Sequence, residues 1–297
     1  DLGMDINTLI AQFISGLSTA MLLFLISSGL TLIFGVVNVL NFAHGSFYLL
    51  GTYFAYQIMQ LFNNFWLGLI AGAIGAGIVG MVIEFFFLRR IYGRAQEGSF
   101  QLLMTFAFIL ILDDIVKYIW GTEYKTIPKP DSLTGSFSIG SIMVPAYNIF
   151  IIVVGLLVVV FAWYFLSKTD TGKMVKASSL DRIMLGLLGT NVPMIMTVVF
   201  GVATAMGGLA GVLAAPLRTV TPGAGVEFII DSMIVVVIGG FGNFWGALLG
   251  ALIIGEVLSF GILWMPELAT VLTFIVMIIV LIVKPEGLLA KKAVGRK

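Results

Sequence analysis

The feature that most constrains this chain is a succession of apolar stretches with almost no charge inside them. They run over residues 8–36, 46–62, 66–88, 101–120, 148–166, 194–215, 229–241, 246–264 and 268–283. A helix that crosses a bilayer needs about 20 mostly apolar residues, and most of these runs meet that length. The first is long enough to tilt or bend. The seventh is too short to span alone and reads as a broken or re-entrant segment, which is tolerated only where protein or a cavity shields its backbone. The expected fold is therefore an all-α polytopic transmembrane helical bundle with eight or nine membrane segments, forming a single domain over residues 1–297.

Composition agrees. Hydrophobic residues make up 60% of the chain and charged residues 10%, against about 25% charged in soluble domains. The deficit is too large for a water-facing surface of this size, so a soluble enzyme is excluded. The net charge of +1 carries no bulk signal for nucleic acid, and none is expected as a partner; membrane lipid is. The chain has no cysteine, and His44 is its single histidine. Disulfides, thiol catalysis and His- or Cys-rich metal sites are thereby excluded. Asp1-Leu2-Gly3 precedes Met4 and reads as an expression scar or a remnant of processing, and no basic stretch precedes the first apolar run, so a cleaved signal peptide is not expected.

Charge sets the orientation. The segment 89–100 carries Arg89, Arg90 and Arg94; the segment 167–192 carries Lys168, Lys173, Lys176 and Arg182; the tail carries Lys284, Lys291, Lys292, Arg296 and Lys297. Together these are 12 of the 16 basic residues, the others being Lys117, Lys125, Lys129 and Arg218. Nine crossings put all three basic segments on one side, the cytoplasmic one, with the N-terminus outside and the C-terminus inside. The outer loop 121–147 is rich in Pro and Gly, and its stretch 136–144 suits a small hairpin around Gly140-Ser141.

Small residues recur four apart in three runs: Gly68, Gly72, Ala76, Gly80; Ala203, Gly207, Gly211, Ala215; Ala247, Ala251, Gly255, Ser259. Such stripes let helix backbones approach closely in lipid, and packing is their expected use.

The cytoplasmic loop 167–192 is the most informative soluble segment. Ser178 and Asp181 form a capping pattern, Leu180 to Leu188 then reads as a short helix, and Gly189 stops it before Asn191-Val192-Pro193 opens the next span. Ile183, Met184, Leu187 and Leu188 recur at helical spacing. This short amphipathic helix either lies in the lipid headgroups or inserts as a knob into a cytoplasmic partner.

Polar residues inside apolar runs are costly and functional by default. Glu256 sits midway along the eighth run and must face the bundle interior, a partner or a watery path. Asp113 and Lys117 are four apart and can pair on one face, with Asp114 beside them. Glu84, near the inner end of the third run, is within reach of Arg89 or Arg90 as a snorkelling partner. Asp231 opens the seventh run. Asn41-Phe42-Ala43-His44-Gly45 breaks the pattern between the first two runs, either capping helix ends or forming a gate; Gly239-Gly240-Phe241-Gly242-Asn243 is a comparable break. No phosphate loop is present: Gly172-Lys173 lacks the earlier glycine, because position 167 is Ser, so the chain itself is not expected to hydrolyse ATP. Nor is any set of side chains arranged for hydrolysis, and no catalytic residue is expected.

Residues 35–45 (Gly-Val-Val-Asn-Val-Leu-Asn-Phe-Ala-His-Gly), Thr171-Gly172-Lys173 through Leu187-Leu188-Gly189-Thr190-Asn191, residues 239–247 (Gly-Gly-Phe-Gly-Asn-Phe-Trp-Gly-Ala) and Lys284-Pro285-Glu286-Gly287-Leu288-Leu289 resemble the LivH-type permease subunits of bacterial branched-chain amino acid ABC importers. The resemblance covers nearly the whole chain. The Asn-Phe-Ala-His-Gly string favours the LivH-like subunit over its LivM-like companion. The resemblance implies a bacterial inner-membrane importer built with a second, LivM-like permease as a heterodimer. It also implies two cytoplasmic ATPases, which bind ATP and Mg, and a periplasmic or lipid-anchored solute-binding protein. It makes residues 178–189 a coupling helix, with Lys173, Asp181, Arg182, Leu188 and Gly189 as candidates for ATPase docking. Asn41, His44, Gly45 and Glu256 are the candidates for the solute path or its gate. Members of the family also carry urea, short amides or aromatic acids. The rival expectation from another class is an ion-coupled secondary transporter or channel with Glu256 as the ion site; a purely structural scaffold is a third.

Overall fold

A computed structural model describes residues 6–37, 40–92, 96–139 and 142–289. Each of the nine apolar runs is a helix. In chain order these are α1 (Ile6–Val37), α2 (His44–Phe62), α3 (Phe65–Phe86), α4 (Glu97–Trp120) and α5 (Ala146–Lys168). After two short helices, α6 (Asp170–Leu180) and α7 (Arg182–Leu187), come α8 (Val192–Ala214), α9 (Gly225–Gly239), α10 (Phe244–Trp264) and α11 (Ala269–Val283). Among the described residues, six helical stretches are long and apolar enough to cross a membrane by length and composition: α1, α3 with its continuation to Arg90, α5, α8, α10, and α11 together with the helical turn before it (Pro266–Val283). The chain is thus a multi-pass helical membrane protein. Helix α9, with 15 residues, reaches only about 22 Å at a helical rise, short of a hydrocarbon core of about 30 Å. Helix α4 carries Asp113, Asp114 and Lys117 in its second half.

Helix α1 is the axis of the bundle. It packs against α10, α8, α5 and α9, and from Ala20 to Leu30 nearly every side chain is buried. A helix that is apolar all round has this fate in a membrane bundle. Around it the three small-residue stripes face other helices: Gly72, Ala76 and Gly80 on α3, Ala203, Gly207 and Gly211 on α8, and Ala247, Ala251 and Gly255 on α10 are all buried. The backbones approach closely where α2 crosses α8. A methyl group at Gly51 would lie 2.7 Å from the carbonyl carbon of Gly208, so no side chain fits between the two backbones. The opposite face of α3 shows Leu67, Ile70, Ile74, Ile78 and Phe85 to the surroundings, as a lipid-facing surface does.

The loop 121–147 contains the hairpin. Strand β1 (Ser136–Ile139) pairs antiparallel with β2 (Ile142–Pro145), with Ser136 opposite Pro145 and Ile139 opposite Ile142. Its turn, Gly140-Ser141, lies outside the described residues, as do Asp1–Asp5, Asn38 and Val39 ahead of the first break, Arg94, and Lys291, Lys292, Arg296 and Lys297 of the tail. Lys125 and Val220 exchange two backbone hydrogen bonds of 3.0 and 2.9 Å, joining this loop to the segment after α8.

Two expectations need correction. The segment 167–192 holds two helices rather than one. Thr169 caps α6, its Oγ1 accepting from the Gly172 N–H at 3.0 Å. Asp181 is the cap of α7, its Oδ1 accepting from the Met184 N–H at 2.9 Å. Ser178 does not cap: it lies inside α6, buried, and its hydroxyl donates to the Val175 carbonyl at 2.8 Å. The chain breaks at Asp181 because this residue is extended (φ −154°, ψ 102°), the conformation an N-cap requires. Nor does Glu84 snorkel towards Arg89. It is fully buried, the Thr197 hydroxyl of α8 donates to it, and Arg89 instead stacks over the Phe85 ring at 5.0 Å.

Candidate functional site

The break between α1 and α2 is buried in the bundle. Asn41, His44 and Gly45 have essentially no exposed surface. Asn41 turns its side chain back on its own loop, Oδ1 accepting from the Ala43 N–H at 3.1 Å. His44 lies 3.0 Å through Nε2 from the Ile26 carbonyl of α1. A carbonyl only accepts, so Nε2 carries the proton and the ring is the Nε2–H tautomer. His44 Nδ1 and Asn41 Nδ2 have no partner among the described residues. Gly29 of α1 and Gly207 of α8 make room for the imidazole: a methyl group at either would come within 2.9 or 3.3 Å of it. Gly45 meets Gly225 at the start of α9, backbone against backbone. The break therefore joins α1, α2, α8 and α9 at one point, with two buried polar atoms unused.

Glu256 is elsewhere. Its carboxylate sits against Gly16 of α1, where a methyl group would be 2.7 Å from Cδ. Both of its oxygens are buried without a partner among the described residues. Beside it, Gln12 donates to the Ser259 carbonyl and the Ser259 hydroxyl donates to the Gln12 carbonyl at 2.8 Å. Gly16 and Ile26 are ten residues apart on α1, about 15 Å along the helix. Glu256 and His44 thus occupy separate levels of the bundle. Neither lines the apolar cavity of about 250 Å³ whose walls include Leu32, Phe161, Phe165, Met206 and Phe244.

In the segment 167–192 the predicted docking residues divide. Lys173 is exposed and paired with Asp170 at 2.9 Å. Asp181 is exposed but spent on the cap of α7. Leu188 is 75% exposed. Gly189 takes φ +84°, the left-handed turn that ends a helix at glycine. Leu180, Ile183, Met184 and Leu187 are exposed along with Leu188. Exposed apolar clusters of this kind are a feature of interaction surfaces, whether with a protein or with lipid. Arg182 points the other way, into the bundle: Nε and Nη2 donate to the Val36 carbonyl at 2.9 and 2.6 Å, and Nη1 lies 3.3 Å from Glu97 Oε1.

Several residues with long-range roles had no readable signal. Thr197 holds Glu84 across 113 positions of sequence. Tyr92, in the turn after α3, has its phenol held well above the usual range by burial and then by the Glu84 carboxylate beside it. Near α2 and α9, Arg218 lies over the Phe228 ring at 5.4 Å, and Phe228 stacks on Tyr48 at 3.9 Å. The Asp113–Lys117 pair is present, at 2.5 Å, with Asp114 3.4 Å from the same ammonium. No group of three or more histidine, cysteine or acidic side chains that could hold a metal ion occurs among the described residues.

Comparison with known proteins places this architecture. A family model described as "branched-chain amino acid transport system / permease component" matches residues 12–281. The high-affinity branched-chain amino acid transport system permease protein BraD of Pseudomonas aeruginosa is 28% identical over 98% of this chain and 99% of its own length. Its counterpart LivH of Escherichia coli is 27% identical over 96% of each chain. The probable branched-chain amino acid transport permease protein LivH of Methanocaldococcus jannaschii is 27% identical over 90% of this chain and 88% of its own. No solved structure matches. With its bundle, its buried Asn-Phe-Ala-His-Gly break and its exposed apolar helix α7, the chain belongs to the family of branched-chain amino acid transport system permease components.

Proposed function

We propose that this chain is the LivH-type permease subunit of an ABC importer that carries branched-chain amino acids across the bacterial inner membrane. A LivM-like second permease completes the path as a heterodimer. Two cytoplasmic ATPases, which bind ATP and Mg, drive it, and a periplasmic or lipid-anchored binding protein delivers the solute. Residues of this chain contribute no ATP chemistry.

The observation that carries this reading is the apolar face of α7. A six-residue helix in isolation is far too short to be stable in water. Here it is fixed by a cap at Asp181 and a left-handed stop at Gly189, and it turns four large apolar side chains, Ile183, Met184, Leu187 and Leu188, outward at 56–79% exposure. A rigid apolar knob on a basic face suits a protein groove better than free solution. With nine crossings, α2, α4 and α9 complete the membrane path of the chain, and α6 and α7 face the cytosol with the N-terminus outside and the C-terminus inside. Asn41, His44, Gly45 and Glu256 serve the path or its gate: movement of α1 against α2, α8 and α9 would uncover the unused nitrogens of Asn41 and His44.

Uptake by proteoliposomes tests the reading. The chain, its companion permease and the two ATPases are reconstituted and supplied with leucine-loaded binding protein. Leucine accumulation that requires ATP is expected. Accumulation without the ATPases, driven by a proton or sodium gradient and lost in Glu256→Gln, would establish the ion-coupled alternative. That alternative rests on the unpartnered carboxylate of Glu256. ATP-driven uptake of urea, short amides or aromatic acids in place of leucine would keep the importer and change its solute.

A further inference from the structure

We propose that Arg182 is a positioning residue that transmits displacement of α7 to α1 and, through α1, to the buried His44. This rests on the reading of α7 as the surface on which the ATPase acts.

Helix α7 has two faces. Ile183, Met184, Leu187 and Leu188 look outward, while Arg182 and Leu185, three residues apart, look into the protein: the Arg182 side chain is 24% exposed and Leu185 is 8% exposed. Arg182 is the first residue of the helix, directly after its cap. Its guanidinium makes two hydrogen bonds to one carbonyl, that of Val36, and an ion pair with Glu97 at the start of α4.

Val36 belongs to the last turn of α1, which ends at Val37. Carbonyls there have no partner within the helix, and a cation at a helix C-terminus is favoured by the aligned peptide dipoles. The bond thus meets an unsatisfied group at the very end of the central helix. A planar guanidinium can hold Val36 and Glu97 together, whereas an ammonium has no fixed fork and would hold them less well.

Helix α1 then carries the load. An α-helix resists compression along its axis because each turn is closed by its own hydrogen bonds. Ten residues from Val36, about 15 Å along that axis, the Ile26 carbonyl accepts from His44 Nε2 at 3.0 Å. The same helix is therefore held at its inner end by the docking element and farther along by the buried break. A shift of α1 strains the His44 bond and the close packing of the imidazole against Gly29 and Gly207. Arg182 thus has a task distinct from that of Leu188 or Lys173: it touches α1 and not the ATPase.

The test uses the complete complex in proteoliposomes with leucine-loaded binding protein. It compares wild type with Arg182→Met and Arg182→Lys, and reads the ATP hydrolysed per leucine moved. Arg182→Met should keep the ATPase at wild-type stoichiometry on co-elution and hydrolysis within about twofold, while uptake falls at least tenfold, so the ratio rises at least fivefold. Arg182→Lys should raise it two- to threefold. A merely structural loss would lower uptake and hydrolysis together and leave the ratio unmoved. An unchanged ratio in Arg182→Met overturns the proposal, as does loss of the ATPase from that complex, which would make Arg182 a docking residue. If Arg182→Met yields no folded complex, an unchanged ratio in Arg182→Lys overturns it. Leucine uptake by wild type without any ATPase would instead defeat the importer reading itself.

Discussion

The seam where α2, α3 and α8 meet offers a sharp test of the packing. Replacing Gly51 by Ala adds one methyl group, which would lie 2.7 Å from the Gly208 carbonyl carbon and 2.5 Å from its oxygen. Ordinary contacts between such atoms are about 3.5–4.0 Å, so the helices must part by about 1 Å. They cannot part freely, because Gly72 of α3 also sits against Gly51, and Gly208 is closed in by Ala76. Atoms separated by a gap of this size lose a quarter to a half of their mutual attraction, and overpacked substitutions in dense interiors cost about 1–3 kcal/mol. The folded fraction of the purified protein, followed through an SDS titration, should register a loss in that range. Gly186→Ala is the control: a methyl group there meets nothing within 4 Å, and alanine in a helix is favoured over glycine by about 1 kcal/mol. A Gly51→Ala protein as stable as wild type would refute the close approach of α2 and α8.

Three further outcomes are expected. Leu187→Asp or Ile183→Asp should lower ATPase co-purification and uptake more than tenfold while leaving the SDS midpoint unchanged, since both side chains are exposed; retention of the ATPase would count against α7 as its seat. Asp181→Ala should weaken α7 by about 1 kcal/mol, the usual loss of an N-cap, and speed amide exchange at Met184, with Asp181→Asn close to wild type; equal exchange in all three would deny the cap. Thr197→Val removes the hydroxyl that donates to buried Glu84 and should destabilise by about 1–3 kcal/mol. Glu84→Gln should then change stability less in the Thr197→Val background than in wild type; additive effects would mean the two side chains do not act on each other.

The membrane bundle was legible because its signal is local and one-dimensional. Every apolar run of 13 residues or more became a helix, and the small-residue stripes landed on buried faces. Asn243 and Asn191 cap α10 and α8, and Gly189 takes the left-handed turn expected of a stop. What sequence could not give was direction and distance. Arg182 looks like a docking cation in a basic loop until α1 is seen to end beside it; the two partners are 146 positions apart. Glu84 has two arginines within six residues, yet its partner is Thr197 on another helix. Helix α6 was hidden because its polar, glycine- and serine-containing sequence carries no apolar period, and its helical form depends on Thr169 as a cap and on burial of Val175 against the bundle. Asn41, His44 and Glu256 were marked as polar in apolar surroundings, but only the fold separates them into two levels about 15 Å apart along α1.

The chain has no native cysteine, so Leu187→Cys installs a single thiol on the outward face of α7. Treated with a membrane-impermeant maleimide, this thiol should react in inside-out vesicles stripped of the ATPases, resist reaction when the ATPases are added back, and stay unlabelled in sealed right-side-out cells. Labelling in the sealed cells, or a rate indifferent to the ATPases, would contradict the account.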